Sequence, residues 1–202
     1  VVVNQKVIGG AVLASCLLFA DIASGQGLST DPAEVYCPSV LGVGVNTDLA
    51  FCDILIQQDA GLGARVILPV HRGEATVSFN LHNRHTYSED EVEAGRAFAS
   101  YTAEIAVASF EGNVLGRRFI LSEFRSVDDL ADRITGGAGP LGLKAVSPMG
   151  TERVFVKIPE ELNEVFIVGQ SLEVVRVDAR ENIINVGRTV AVISDVRVEY
   201  QP

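Results

Sequence analysis

Apolar and polar residues alternate one by one over long stretches of this chain, and that repeat of two restricts the fold more than any other feature. In EATVSFNL, residues 74–81, one face carries Ala75, Val77, Phe79 and Leu81. Because successive side chains of a β-strand point to opposite faces, this alternation predicts a strand with one buried side.

The same alternation recurs along the chain and predicts the fold class. AFASYTAEIAVAS (97–109) and VLGRRFILSEF (114–124) flank a turn that contains Gly112 and Asn113, which predicts a β-hairpin. Further strands are predicted at residues 53–57, 64–70, 143–147, 152–158, 164–168, 172–178 and 189–200. Many short strands between turns predict an all-β protein, an antiparallel β-sandwich for which an immunoglobulin-like layout is one compatible arrangement.

One segment, SVDDLADRITGG, departs from this pattern. Ser126 and Asp129 have the spacing of a capping box, and Leu130 and Ile134 follow at helical spacing before two glycines. The sequence therefore predicts one short helix over residues 127–135, which would cross between strands or cover an end of the sandwich.

Size and charge limit the possible functions. With 202 residues, the chain is long enough for one domain with a full core, which we place at residues 51–202 after an extended lead-in at 26–50. The formal net charge of −10 repels phosphate backbones and anionic membranes, so no nucleic-acid partner is expected.

The N-terminal residues resemble an export signal. Lys6 precedes fourteen uncharged residues, VIGGAVLASCLLFA, and small residues follow at 23–25. This layout predicts a secretory signal peptide at residues 1–25, a secreted or periplasmic location and no membrane span in the mature chain. LASC also resembles a lipoprotein box, so lipidation of Cys16 and a lipid anchor are one alternative, and an uncleaved anchor or a buried N-terminal element is another.

Removal or acylation of Cys16 leaves two cysteines, Cys37 and Cys52. An even number in an oxidising compartment predicts a disulfide between them, which would stabilise the fold by roughly 3 kcal/mol through loop entropy. Two unpaired, buried thiols are the alternative.

The stretch LHNRHTYSEDEVEAG, residues 81–95, is the richest in chemically active side chains. His82 and His85 together with Glu89, Asp90 or Glu91 form a candidate metal site, because zinc takes imidazole and carboxylate ligands. Two histidines three residues apart lie on opposite faces if the strand continues, and come together only if the chain turns at Asn83. The alternative is an ordered loop in which Ser88 caps a single helical turn.

These observations favour an exported β-sandwich module that binds or supports an unknown protein or surface partner at the cell envelope or outside the cell. One alternative is a metal-dependent hydrolase that uses the 82–91 loop. A second is a small-ligand carrier, which requires a closed barrel around an apolar cavity. The sequence has neither a phosphate-binding loop nor a nucleophile elbow, and no cofactor is expected.

Overall fold

A computed structural model describes residues 27–134 and 145–202 as two antiparallel β-sheets packed face to face. The predicted signal peptide and the alternative lipidation site at Cys16 lie outside the described residues. In the part that is described, no helix is long and apolar enough to cross a membrane.

Each sheet has six strands, and we number all strands in chain order. Sheet I consists of β1 (Ser29–Pro32), β3 (Val40–Val43), β4 (Ala50–Leu55), β6 (Arg72–Tyr87), β9 (Ala145–Ile158) and β12 (Thr189–Gln201). Sheet II consists of β2 (Glu34–Tyr36), β5 (Ala64–Ile67), β7 (Ala99–Ala108), β8 (Val114–Phe124), β10 (Glu164–Arg176) and β11 (Arg180–Ile183). The predicted β-sandwich is confirmed.

The strand order identifies the kind of sandwich. Strands β4-β12-β6-β9 of sheet I face strands β5-β10-β7-β8 of sheet II. Along these eight strands the chain changes sheet at every connection except the β7–β8 hairpin, which is the arrangement of a jelly roll. An immunoglobulin domain instead keeps several consecutive strands side by side in one sheet. The immunoglobulin-like layout is therefore not the arrangement found.

The core fills the space between the sheets. Sheet I contributes fully buried residues such as Phe79 and Ile193, and sheet II contributes Ile105 and Ile167. In the described residues the two sheets are open and do not close into the barrel that the ligand-carrier alternative requires, so the fold gives that alternative no support.

The lead-in is part of the sandwich. Its strands β1, β2 and β3 pair with β12, β5 and β4, so the paired structure begins at Ser29, earlier than the predicted start at residue 51. A disulfide joins Cys37 to Cys52, as predicted, and attaches the lead-in covalently to β4.

In two places, strands that the sequence predicts as separate form one continuous strand with an irregularity between them. Residues 143–147 and 152–158 are predicted separately, but β9 runs through them from Ala145, with Gly150 at a φ of +63° where the register with β6 shifts. Likewise, β10 includes the predicted strands at 164–168 and 172–178 as far as Arg176, with a register shift after Gly169.

Helical structure is sparse. The helix predicted at 127–135 is only a 3-10 turn, Val127–Asp129, although its capping box of Ser126 and Asp129 is present. Leu130 is extended and forms a bridge with Met149, so pairing with sheet I ends the helix after one turn. A second 3-10 turn spans Ala60–Leu62, and the α-helix α1 spans Glu89–Glu93.

The core predicts a large difference between two phenylalanine substitutions. Phe79→Ala removes a fully buried ring between the sheets and should lower the free energy of unfolding by about 3–5 kcal/mol. Phe119→Ala is the matched control, because Phe119 is 57% exposed and its loss should cost less than about 1 kcal/mol. Urea denaturation checks both values, and equal losses would contradict this placement of the core.

Candidate functional site

The two histidines of the 81–95 stretch lie on opposite faces of one strand. Strand β6 does not turn at Asn83 but continues to Tyr87, so the repeat of two separates the imidazoles. His82 lies on the outer face of sheet I and is 2% exposed, whereas His85 points between the sheets and is 4% exposed. The structure does not bring the two rings together.

His82 has hydrogen bonds at both ring nitrogens. Its Nδ1 lies 2.6 Å from the carbonyl oxygen of Gly150, which can only accept, so Nδ1 carries the proton. Its Nε2 therefore accepts from the Ser194 hydroxyl at 2.9 Å. Burial lowers the pKa of His82, and the Gly150 hydrogen bond opposes that change. Ser194 is only 2% exposed, so this pair is a structural hydrogen bond rather than an accessible nucleophile and base.

The predicted carboxylate ligands lie on helix α1. Ser88 caps this helix by accepting from the Glu91 amide, and three of its residues, Glu89, Asp90 and Glu91, are acidic in the first turn. Glu91 pairs with Arg96 through both carboxylate oxygens, each at 3.1 Å. Within residues 27–134 and 145–202, no three His, Cys, Asp or Glu side chains are grouped to hold a metal ion. The described residues therefore supply no ligand set for the predicted metal site or for the hydrolase alternative that depends on it.

His85 belongs to a polar cluster between the sheets. Its Nδ1 is hydrogen-bonded to the Tyr101 hydroxyl, and its ring stacks on Phe124 at a centroid distance of 3.8 Å. Asn83 extends the cluster, since its amide nitrogen donates to the Ser122 hydroxyl on β8. A strand of sheet I is thus joined through side chains to two strands of sheet II. Buried polar groups of this kind are costly unless they are paired.

The tautomer of His85 follows from its neighbour. Tyr101 carries one hydroxyl proton, and among the described residues His85 Nδ1 is its hydrogen-bond partner. Donation from the hydroxyl to Nδ1 leaves only Nε2–H unpaired, whereas donation from Nδ1–H would leave both the hydroxyl proton and Nε2 unpaired, so the first arrangement is favoured and puts the imidazole proton on Nε2. This Nε2 is buried and has no hydrogen-bond partner within the described part of the chain.

Burial keeps both groups uncharged, and the charge of Arg176 adds to this effect at His85 but opposes it at Tyr101. Burial, and secondarily the charge of Arg176, lowers the pKa of His85 to about 4. Burial raises the pKa of Tyr101 to about 12, against the opposite effect of Arg176. At neutral pH, His85 is a neutral ring with an N–H donor, and Tyr101 remains a phenol.

These groups line a cleft of about 320 Å³ at one end of the sandwich, which we call the His85 cleft. Its lining includes His85, Thr86, Glu91, Arg96, Ala97, Phe98, Ala99, Tyr101 and Arg176. The walls of the cleft are mainly polar, and two of its lining residues, His85 and Tyr101, have strongly shifted pKa values, which are common at functional sites.

Sequence reasoning missed Tyr101 and Arg176 as site residues. Tyr101 could have been found, because it alternates in phase with Ala99 and Ala103 and was therefore expected to point inward. Arg176 gives no such signal, since only the pairing of β10 with β7 places it beside Ala99.

A second polar network, also missed, lies on the outer face of sheet I. Buried Asp53 faces Arg84 at 3.5 Å, and burial raises the pKa of Asp53 while Arg84 opposes that shift. Arg153 donates to the backbone and carboxylate oxygens of Asp195, which has a φ of +47°. The Asp53–Arg84 pair joins β4 to β6, and the Arg153–Asp195 pair holds an irregular part of β12 in place.

A larger and more apolar cleft, of about 460 Å³, lies between the lead-in and sheet I. Its lining includes Pro32, Val35, the Cys37–Cys52 disulfide, Phe51 and Ile193.

Comparison with known proteins adds little. No protein-family model matches the sequence, and no curated protein matches it. Among solved structures, the chain is similar to the K1 cleaved adhesin domain of Lys-gingipain from Porphyromonas gingivalis W83, with 11% identity, a TM-score of 0.35 and coverage of 89% of this chain and 86% of that one. It is also similar to the VP2 subviral particle of infectious bursal disease virus, with 13% identity, a TM-score of 0.25 and coverage of 98% and 37%. Likenesses this weak carry no argument about function.

The lowered pKa of His85 predicts a loss of stability in mild acid. Because the unfolded histidine binds a proton near pH 6.5 and the folded one only near pH 4, the free energy of unfolding should fall as pH decreases through this interval. His85 alone should account for a loss of about 2 kcal/mol between pH 7 and pH 5. His82 changes stability in the same direction.

Urea denaturation of wild type and His85→Gln at both pH values checks this, since glutamine can still accept from Tyr101 but does not titrate. The variant should lose clearly less stability on acidification. An equal loss in the two proteins would contradict the buried, neutral His85.

Proposed function

We propose that this chain is an exported binding module that acts at the cell envelope or outside the cell and binds a ligand in the His85 cleft. The observation that carries the proposal is His85 itself. It is an almost fully buried imidazole whose Nε2 has no protein partner among the described residues, in the lining of an open cleft. An unpaired buried polar group costs stability, and one that borders a cleft favours a functional explanation over a purely structural one.

The position of the cleft in the fold supports a binding role. Strands β6, β7 and β10 form part of the cleft, helix α1 and residues 96–98 form the rest, and Asn83 and His85 link the two sheets next to it. Groups held on strands are preorganised, so little conformational entropy is lost when a ligand binds.

The disulfide supports the proposed location. The bond between Cys37 and Cys52 forms and persists in oxidising compartments, such as the periplasm or the extracellular space. The apolar run after Lys6, with small residues beyond it, adds the layout of an export signal.

A fragment titration tests the proposal. With ¹⁵N-labelled protein and a set of small carboxylates, amides and sugars, we expect at least one fragment to shift the amide signals of Thr86, Ala99 and Arg176. Ala97→Trp should abolish these shifts by filling the cleft, whereas Ala94→Trp, at an exposed position three residues earlier, should preserve them. Preserved dispersion of the spectra confirms that both variants fold. The absence of shifts at the cleft, or shifts that survive Ala97→Trp, would overturn the proposal.

A further inference from the structure

Strand β8 forms an outer edge of sheet II, since among the described residues it pairs with β7 alone. We propose that this edge is a site of self-association, at which β8 of one copy of the chain pairs antiparallel with β8 of a second copy. The two-fold axis of this pairing lies at Ile120. No residue of β8 lines the His85 cleft, so this inference stands apart from the proposed function.

Alternate residues of an edge strand direct their backbone groups away from the sheet. Asn83 shows which ones do so in β8, because its amide nitrogen lies 3.5 Å from the carbonyl oxygen of Tyr101 and 3.4 Å from that of Ile120. One atom can lie near both oxygens only if both point into the space between β7 and β8. Ile120 therefore pairs with β7, and Phe119 and Leu121 direct their N–H and C=O groups to the outer edge. Such an edge is a template for another strand.

Strand β9 is close to β8 but lies on its inner side. The side chain of Ser122 points inward, where it is hydrogen-bonded to a strand of sheet I. A Cβ atom at Gly150 of β9 would come within 2.8 Å of the Ser122 Cβ, so β9 approaches β8 from the interior. Arg118 donates to the carbonyl oxygen of Arg117, which closes the edge at that residue. Among the described residues, the edge is open from Phe119 onward.

Two large apolar side chains stand at the open part of this edge. Phe119 is 57% exposed and Leu121 is 69% exposed, both on the outer face of the sheet. A pairing centred on Ile120 places Phe119 of each copy opposite Leu121 of the other. Each such pair exchanges both of its N–H···O bonds and packs an aromatic ring against an aliphatic side chain. The edge is thus complementary to itself in both its backbone and its apolar groups.

The charges on the same face select this register and favour a second copy as the partner. With the axis at Ile120, Arg117 of each copy lies opposite Glu123 of the other. An axis at the preceding residue would place Arg117 opposite Leu121, and an axis at the following one would place it opposite Arg125. Opposite charges across strands stabilise pairing and like charges oppose it.

Both charged residues also have partners within their own chain. Arg117 pairs with Glu104 on β7, and Glu123 pairs with Arg125. These pairs lie at the surface, where an ion pair contributes little to stability. The backbone edge and the apolar pairs therefore supply the association, and the charges select its register.

Sedimentation velocity of the purified protein at increasing concentration tests the proposal. We expect a reversible dimer below about 1 mM, since a small interface of this kind binds weakly. Leu121→Lys should weaken dimerisation at least about tenfold, because it places a charge in the apolar pair at the edge. Ile184→Lys is the matched control, since Ile184 is 64% exposed and follows β11, across β10 from this edge. Unchanged circular dichroism confirms that both variants fold.

Charge reversal tests the register. Arg117→Glu alone, or Glu123→Arg alone, sets like charges opposite each other at both ends of the pairing and should weaken the dimer. An equimolar mixture of the two variants restores both opposite-charge pairs in a heterodimer. The mixture should therefore dimerise about fivefold more tightly than either variant by itself.

A wild-type chain that stays monomeric at about 1 mM would overturn the proposal. A dimer that Leu121→Lys leaves intact would also overturn it, because the interface would then lie elsewhere. A mixture of the charge variants that is no tighter than its components would overturn the pairing about Ile120. Dimerisation that is lost in Leu121→Lys, kept in Ile184→Lys and restored in the mixture supports it.

Discussion

Strand β6 runs from Arg72 to Tyr87 between β12 and β9, and its side chains alternate between the core and the outer face of sheet I throughout. This unbroken repeat sends Phe79 and Leu81 into the apolar core and then, without a change of phase, sends Asn83 and His85 into the same interior. Strand β6 thus places polar side chains in an interior that otherwise consists mostly of aliphatic side chains. The extra residue that shifts the register between β6 and β9 lies in β9, at Gly150, and not in β6.

The consequences of that arrangement account for the site. A buried polar group lowers stability unless it has a hydrogen-bond partner, and only some of the polar atoms in this cluster have one. Asn83 donates across to Ser122, and Tyr101 donates to His85. The Nε2 of His85 remains without a protein partner in the described residues, and it lies beside a cleft and a guanidinium. Asn83 Oδ1, in the same cluster, also has no partner in the described residues, and the unpaired His85 in the cleft lining is why we assign a binding role to this end of the sandwich.

Much of the fold could be predicted from the sequence, because alternation is a local property. The hairpin at residues 97–124, the disulfide and the sandwich class all follow from patterns within short segments. The order of strands could not be predicted in this way, since it depends on which distant strands pair. The helix expected at 127–135 failed for the same reason, because Leu130 pairs with Met149 instead.

The site was predictable only in part. The repeat of two correctly anticipated that His82 and His85 separate if the strand continues, yet nothing local indicated that β6 would extend to Tyr87. Pairing with the first residues of β9 sustains that extension. The contribution of Arg176 depends on the register of β10 against β7, which a single sequence does not reveal.

The most direct test of this account is the tautomer of each histidine, measured by long-range ¹H–¹⁵N spectra of ¹⁵N-histidine-labelled protein at pH 6 and assigned with histidine variants. We predict a neutral His85 with its proton on Nε2 and a neutral His82 with its proton on Nδ1, opposite tautomers on opposite faces of one strand. A charged His85 at pH 6, or a His85 with its proton on Nδ1, would contradict the central claim that a neutral imidazole with an unpaired N–H is buried beside the cleft.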